Sequence, residues 1–332
     1  MYDVIIIGAG PAGLSCARHL KGLKVLVLEK NDSLGKKICS GEISPKVLPD
    51  EQFDRGHPWK SITIGTETGK KTVYFENPFL WTVGRYEFEN YLMKSCDAEI
   101  HFSETVKHIT PTYVETSKGK YYYKHLVGAD GSFSIVRNYL KLPMKHITGW
   151  AYHYVLDVPC SEFSLCWLPK TFPKSYGYVM SKSRKQTMLG LAWTGEFDQA
   201  IAAKAKDWAM KEFSIKNYIK LEAMKGNADY RGWKFGNIYL AGDAGGFLNP
   251  LTTEGIYYAI TSGEGIAKHI LRKPEGEKIM KSLESAHRWQ VLMFDLATKS
   301  PFCWIINWIL EDPRKGIRRK IFNWVLWKFM KG

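Results

Sequence analysis

The start of this chain is fixed by the spacing of three glycines. Residues 2–7 read as a short apolar strand. Gly8-Ala9-Gly10-Pro11-Ala12-Gly13 follows, then a helix through LSCARHLKG and a second strand, KVLVLEK. A glycine-rich turn between an apolar strand and a helix opens a βαβ unit, whose parallel strands are covered on both faces. The first glycine permits the tight turn, the second lets the backbone approach a pyrophosphate, and the third lets the helix pack closely on the sheet. The helix N-terminus offers free N–H groups and a positive dipole end to the phosphates. Glu29, closing the second strand, can accept hydrogen bonds from ribose hydroxyls, and an acid there argues against a 2′-phosphate. Gly8, Gly10, Gly13 and Glu29 thus predict a dinucleotide site.

A second site is predicted in IYLAGDAGGFLNPLTTEGIYYAI. A strand at 238–241 runs into Gly242 and Asp243, a glycine-rich loop follows, and a helix begins near 253–255. An aspartate just past a strand can bind a ribityl or ribose hydroxyl, and the next helix N-terminus can stabilise negative charge. Two such sites on one chain point to a two-ended cofactor.

Between them, alternating runs at 60–83 read as antiparallel strands, 98–127 holds the further strands EIHF, HITPTYVET and YYYKHLVGA, and GRYEFENYLMKSC and SFSIVRNYL read as helices. Residues 147–195 read as a larger aromatic-rich antiparallel sheet, and 273–332 as helical. The 332 residues suffice for one large domain or two intimate ones. The six cysteines include no C-x-x-C pair and no zinc spacing, so neither a metal site nor a disulfide framework is expected. The formal net charge of +14 favours anionic partners.

The fingerprint, GRYEFENYL, GADGSFSIVR and GDAGGFLNPLTTEGI occur in the order of the FAD-binding superfamily of the para-hydroxybenzoate hydroxylase type, which the chain resembles over residues 1–272. Within it, CSGEISP and NPLTTEGI most resemble the geranylgeranyl reductase family, including digeranylgeranylglycerophospholipid reductases. That family reduces isoprenoid C=C bonds in archaeal membrane lipids and in the phytyl chain of chlorophyll.

The resemblance implies FAD as cofactor, with Gly8, Gly10, Gly13 and Glu29 on its ADP half. It also implies cofactor-binding roles for Arg85, Asp130, Gly131, Asp243 and Gly255. Arg137 reads equally as a structural ion-pair partner. Cys39 matches the family cysteine that approaches the flavin, and is the expected catalytic residue. Hydride delivery to an alkene requires a proton at the other carbon, which a thiol can supply. The family's P-x-x-Y-x-W-x-F-P motif survives in part: Pro173 and Tyr176 stand, while Tyr178, Met180 and Ser181 replace the Trp, Phe and Pro. Pro173, Tyr176 and Tyr178 are the expected substrate-binding residues, in an aromatic, adaptable lining suited to a long apolar chain.

The tail, SPFCWIINWILEDPRKGIRRKIFNWVLWKFMKG, places tryptophans and basic residues together. That is the composition of an interfacial helix, attracted to an anionic membrane surface. The alternative is a helical cap whose tryptophans complete the core. Neither apolar segment has the roughly 20 residues that span a bilayer. The N-terminus opens on a strand without a basic region or cleavage site, which predicts a cytoplasmic protein, peripheral on the inner face of the cell membrane.

The expected fold is α/β: a Rossmann-like FAD-binding domain (1–60, 80–145, 232–272) interleaved with an antiparallel-sheet substrate domain (61–79, 146–231), plus the helical C-terminal region. The expected activity is reduction of C=C bonds in a geranylgeranyl chain on a lipid or diphosphate. The external electron donor is NAD(P)H or ferredoxin, and no nucleic acid partner is expected. The rivals are an FAD-dependent monooxygenase or halogenase of the same superfamily, and a non-redox flavin-dependent cyclase or isomerase of an isoprenoid.

Overall fold

The computed structural model describes residues 1–47, 56–144, 148–160, 162–168, 175–183, 185–194, 199–212, 218, 220–250, 252–298 and 303–330. The chain divides into two compact units. The first comprises Met1–Lys37, Arg85–Thr148 and Gly226–Val291; the second comprises Ile38–Gly84, Gly149–Lys225 and Leu292–Gly332.

The first unit is built on an eight-stranded sheet. Its centre is parallel: Ile238–Leu240, Lys120–Gly128, Tyr2–Ile7, Val25–Leu28 and Glu99–His101 lie side by side in that order. Ile5, Leu26, Leu126 and Leu240 are fully buried, as strands covered on both faces require. The helix Pro11–His19 packs against the helix Ile256–Ile270 so closely that a Cβ at Gly263 would lie 2.3 Å from the Ala12 carbonyl oxygen. Ser15 Oγ donates to the Ile260 carbonyl across that contact at 2.8 Å. The stretch HITPTYVET, read from sequence as one strand, is a hairpin of Val106–Ile109 and Tyr113–Thr116, turned at the proline.

The second unit holds a seven-stranded sheet and a separate three-stranded one. The larger includes Thr148–Leu156, Gln186–Thr194 and Ser175–Ser183 as antiparallel neighbours. One face carries Ala151, Tyr178, Met180, Met188 and Ala192 against Trp59, Ile62, Phe79 and Phe163. The boundaries differ from those drawn on sequence for stated reasons. Residues 38–60 and 80–84 fall in the second unit because Glu42–Ile43, Leu80–Thr82 and His57–Trp59 pair there as the small sheet. The C-terminal region is shared, and 292–332 joins the second unit because Phe322 is buried in its core with Ile309 and Leu310 alongside.

Candidate active site

In the first unit the fingerprint has the shape its glycines require. Gly8 has φ +102°, a left-handed conformation natural to glycine, and a Cβ there would meet the Ala129 carbonyl oxygen at 2.5 Å. A Cβ at Gly13 would lie 1.9 Å from the Gly8 carbonyl oxygen, so helix and turn touch backbone to backbone. Gly10 differs: nothing lies within 4 Å of a Cβ built on it. It faces open space at the N-cap of Pro11–His19, where no side chain caps the helix. Glu29 is buried, and its Oε2 accepts from Ala9 N at 2.8 Å while Oε1 accepts from Asn31 N at 2.9 Å. The acid therefore also holds the turn in place.

Asp130 follows the strand Lys120–Gly128 and abuts the turn: a Cβ at Gly8 would lie 3.1 Å from Asp130 Cα. Its Oδ2 accepts from Ile135 N at 2.7 Å, capping the short helix Ile135–Tyr139, while Oδ1 is buried with no hydrogen-bond partner. Burial raises its pKa against the lowering effect of these hydrogen bonds. Beyond Gly131, Ser132 Oγ donates to Asp243 Oδ2 at 3.0 Å, and Lys37 Nζ pairs with the same oxygen at 2.8 Å. Asn227 Nδ2 fixes the Asp243 carbonyl at 2.8 Å. Gly255 is the N-cap of Ile256–Ile270, and a Cβ there would lie 3.6 Å from Asp243 Oδ1. The helix thus begins slightly later than the sequence suggests, because Thr253 takes a positive φ of 54°.

Arg85 opens the helix Arg85–Lys94 and forms an ion pair with Glu89, whose other oxygen accepts from Gly35 N at 2.6 Å. Arg137 is buried and resolves as a structural clamp. It donates to the carbonyls of Asp229 at 2.6 Å, Pro143 at 2.8 Å and Ala244 at 3.2 Å.

In the second unit Cys39 is half-buried with a free thiol, and its Sγ accepts from Gly41 N at 3.4 Å. Lys182 Nζ donates to the Cys39 carbonyl at 3.2 Å and pairs with Glu222 at 3.1 Å. Glu42 accepts from Ser40 Oγ at 3.0 Å; desolvation raises its pKa to about 7, against the lowering effect of that bond. Tyr176 and Tyr178 lie on the same strand with ring centroids 5.8 Å apart. Pro173 lies outside the described residues. Among the described residues no cluster of His, Cys, Asp and Glu could hold a metal ion.

The structure gathers Gly8, Gly10, Gly13, Glu29, Asp130, Gly131, Asp243 and Gly255 in the first unit, and Cys39, Tyr176 and Tyr178 in the second. Sequence reading missed Lys37, Ser132 and Asn227 around Asp243, and His153, Lys182 and Glu222 on the large sheet. The last three carried a signal, since each is a charged or titratable residue inside an apolar alternation.

The residues fit the cofactor that the sequence implies. An uncapped helix N-terminus behind an open Gly10, a buried acid at Glu29, and an orphaned acceptor at Asp130 are what a dinucleotide's phosphates and hydroxyls would satisfy. A family model described as pyridine nucleotide-disulphide oxidoreductase matches residues 5–163. Among curated relatives, an uncharacterized protein of Methanosarcina barkeri is 28% identical over 79% of this chain and 72% of its own length. A geranylgeranyl diphosphate reductase of Rhodobacter capsulatus is 24% identical over 80% of this chain and 74% of its own length. In structure the chain is similar to a geranylgeranyl bacteriochlorophyll reductase-like protein of Thermoplasma acidophilum, with TM-score 0.75 at 18% identity, covering 89% and 87% of the two chains. It is also similar to PqsL, a probable FAD-dependent monooxygenase of Pseudomonas aeruginosa (0.68, 14%, 91% and 96%), and to the flavin-dependent brominase Bmp2 (0.68, 17%, 99% and 94%).

Over residues 5–163 the chain is similar to the pyridine nucleotide-disulphide oxidoreductases, and it shares its fold with flavin-dependent enzymes of known structure. It also resembles geranylgeranyl reductases, through both a curated relative and a structural neighbour.

Proposed function

We propose that this protein reduces C=C bonds in an isoprenoid chain of the geranylgeranyl class, carried on a membrane lipid or a diphosphate. The observation that carries the reading is the likeness to a geranylgeranyl diphosphate reductase in sequence and to a geranylgeranyl bacteriochlorophyll reductase-like protein in structure. In the second unit, Tyr176 lies beside the buried Tyr178 and Met180, and Lys182 ties the Cys39 backbone to the same sheet. FAD, when bound, supplies the hydride. Gly10 and the helix N-terminus would bind its phosphates, Glu29 and Asp243 would take its hydroxyls, and Cys39 would hold the proton that the second alkene carbon needs. The electron donor is NAD(P)H or ferredoxin.

A lipid-tail substrate must be drawn from a membrane, and the C-terminal helices Cys303–Glu311 and Gly316–Met330 support contact with an anionic surface. Trp304, Ile317 and Trp324 are exposed, among basic residues 314, 315 and 318–320. Among the described residues no helix is long and apolar enough to cross a membrane.

The test is anaerobic. The holoprotein is reduced with dithionite, given a geranylgeranyl phospholipid or diphosphate, and the products are weighed. Stepwise gains of two hydrogens per double bond support the reading. No gain with either lipid, with FAD bound and reducible, removes it. The second reading, oxygen-dependent monooxygenation or halogenation, is favoured by the fold likeness to PqsL and Bmp2. It requires substrate-coupled oxygen consumption.

A further inference from the structure

Glu29 is held by its backbone as well as by its carboxylate. Its N–H donates to the His101 carbonyl at 2.9 Å, and its own carbonyl accepts from Glu104 N at 2.9 Å. Ser103 N donates to the Asn31 carbonyl at 2.8 Å. Asn31 in turn donates to Glu29 Oε1, from N at 2.9 Å and from Nδ2 at 2.6 Å. Residues 101–104 therefore form a strap over the acid, tied to its N–H, its C=O and, through Asn31, its carboxylate. The strap bends at Ser103, whose φ of 52° is a left-handed conformation that a non-glycine residue keeps only where its surroundings impose it.

Side chains lock the two ends of the strap together. His101 Nδ1 lies 3.0 Å from Glu104 Oε2, and its Nε2 lies 2.7 Å from Glu99 Oε1. A neutral imidazole has one N–H and would turn a lone pair toward one of the two carboxylates. The imidazolium has two N–H groups and satisfies both. Glu104 matters more, because its side chain is fully buried whereas that of Glu99 is half in water. Its other oxygen accepts from Thr116 Oγ1 at 2.7 Å. Burial opposes its ionisation, but the bonds from Thr116, Tyr121 and His101 outweigh burial and hold the carboxyl below the ordinary glutamate range.

The groups around the ring come from four further places. The Tyr121 ring meets the imidazole edge to face at 5.8 Å, and Tyr2 donates to Glu99 Oε2 at 2.8 Å. Lys118 Nζ lies 3.7 Å from Glu104 Oε2, and Lys24 Nζ sits over the Tyr2 ring at 4.8 Å. Burial, and then the bonded glutamate, push the Tyr2 and Tyr121 hydroxyls up to about 12. Histidine is the side chain of this set whose charge ordinarily changes near neutrality.

We infer that His101 and Glu104 are positioning residues for the cofactor: the charged imidazole locks the strap, the strap aims Glu29, and FAD is held more tightly while His101 keeps its proton. The inference rests on Glu29 taking a ribose hydroxyl of FAD, and not on the reaction that the flavin performs. Its sign follows from the geometry. With the ring charged, both carboxylates are satisfied. As pH rises and the ring gives up a proton, a lone pair faces one carboxylate and the strap loosens. Coupling is reciprocal, so FAD must tighten the proton by the factor that the proton tightens FAD.

The experiment titrates apoprotein with FAD from pH 6 to 9, following flavin fluorescence. The wild-type Kd is expected to rise about tenfold across that range, the effect of one hydrogen bond to a charged group. His101→Gln, which keeps a neutral donor, is expected to show the weaker value at every pH. The difference between the two isolates His101 from other titrating groups, and parallel profiles overturn the strap. Wild-type protein labelled with 15N-histidine gives a readout independent of any variant's folding, His101→Gln serving only to assign the signal. Two N–H groups are expected at pH 6, and loss of one at a pH about one higher with FAD than without, the counterpart of the tenfold change. A ring neutral at pH 6, or the same titration with and without FAD, overturns the inference. Glu29→Gln separates the two levels. If it binds FAD as wild type does, the assignment of Glu29 has failed and the inference with it. If it weakens FAD while the wild-type profile stays flat, the strap alone has failed.

Discussion

Lys37 Nζ stands 2.8 Å from Asp243 Oδ2, pairing two residues more than 200 positions apart in the chain. Ser132 donates to the same oxygen, so both cations and hydroxyls on the protein side use Oδ2 and leave Oδ1 on the side of Gly255. Asp243→Asn is expected to weaken FAD retention by tenfold or more, since a hydrogen bond to a charged group contributes about 1.5–3 kcal/mol. Lys37→Ala, which removes a half-exposed partner, is expected to cost less than about 1 kcal/mol of stability. Flavin absorbance per mole of purified protein and the thermal midpoint separate the two effects. Greater flavin loss in Lys37→Ala than in Asp243→Asn would reverse this assignment.

Gly10 and Gly13 predict opposite failures. A methyl group at Gly13 would strike the Gly8 carbonyl oxygen, whereas at Gly10 it meets nothing within 4 Å. Gly13→Ala is therefore expected to destabilise the fold by several kcal/mol, on the order of 3. Gly10→Ala is expected to leave the apoprotein's urea midpoint within about 0.5 kcal/mol of wild type and to weaken FAD binding by blocking approach of the phosphates. Apoprotein unfolding curves and flavin titration test the pair.

Glu42 should make stability depend on pH in a direction unusual for a carboxyl. Its folded pKa, pushed up to about 7 by burial, lies above the ordinary glutamate value of 4.5, so the folded state binds the extra proton between those values. Its contribution is fully present below pH 4.5 and is lost as pH rises through 7. His153 acts in the opposite sense: its folded pKa is lowered from 6.5 to about 4, so its contribution is lost as pH falls through 4. The difference between wild type and Glu42→Gln isolates the glutamate. Urea midpoints from pH 5 to 8 should show wild type losing on the order of 2 kcal/mol relative to the variant. Parallel curves would place the Glu42 carboxyl in water.

The tail has two kinds of aromatic residue. Phe322 is 6% exposed in the second unit's core, and Trp167 Nε1 donates to Asn307 Oδ1 at 2.6 Å. Trp304 is 59% exposed. Phe322→Ala is expected to cost about 3–5 kcal/mol, the range for a buried aromatic truncation. Trp304→Ser should leave the thermal midpoint unchanged and lower binding to vesicles containing phosphatidylglycerol, with an affinity that falls as salt rises. Equal binding by Trp304→Ser and wild type would count against membrane contact by this face.

What the sequence made legible was local in character. Gly8, Gly13 and Glu29 could be read because their roles depend on neighbours within one βαβ unit, and the spacing states those neighbours directly. Asp243 was readable as a residue just past a strand, and Asp130 only through the motif of the resembling family. Their partners were not: Lys37 meets Asp243 only because the parallel strands bring distant loops to one end of the sheet. The Tyr178–His153 pair, in which the hydroxyl reaches His153 Nε2 at 2.7 Å across the gap left by Gly190, was hidden for a different reason. It depends on register, and a shift of one residue would turn Gly190 to the opposite face and close the gap. The tail looked like a choice between core and surface because composition averages over a helix, whereas Phe322 and Ile317 face different ways on the same one.

The burial of Phe322 beside Trp59 and Ile62 sets an order of events during synthesis. Strands made early in translation wait for a side chain made much later, and the sheet between them is completed by long-range pairings. Such contacts are slow to form, because loop closure must precede the burial that rewards it. The second unit is therefore expected to stay open on the ribosome, with its apolar face accessible, until the helix Gly316–Met330 emerges. Its ability to meet a chaperone is greatest in that interval.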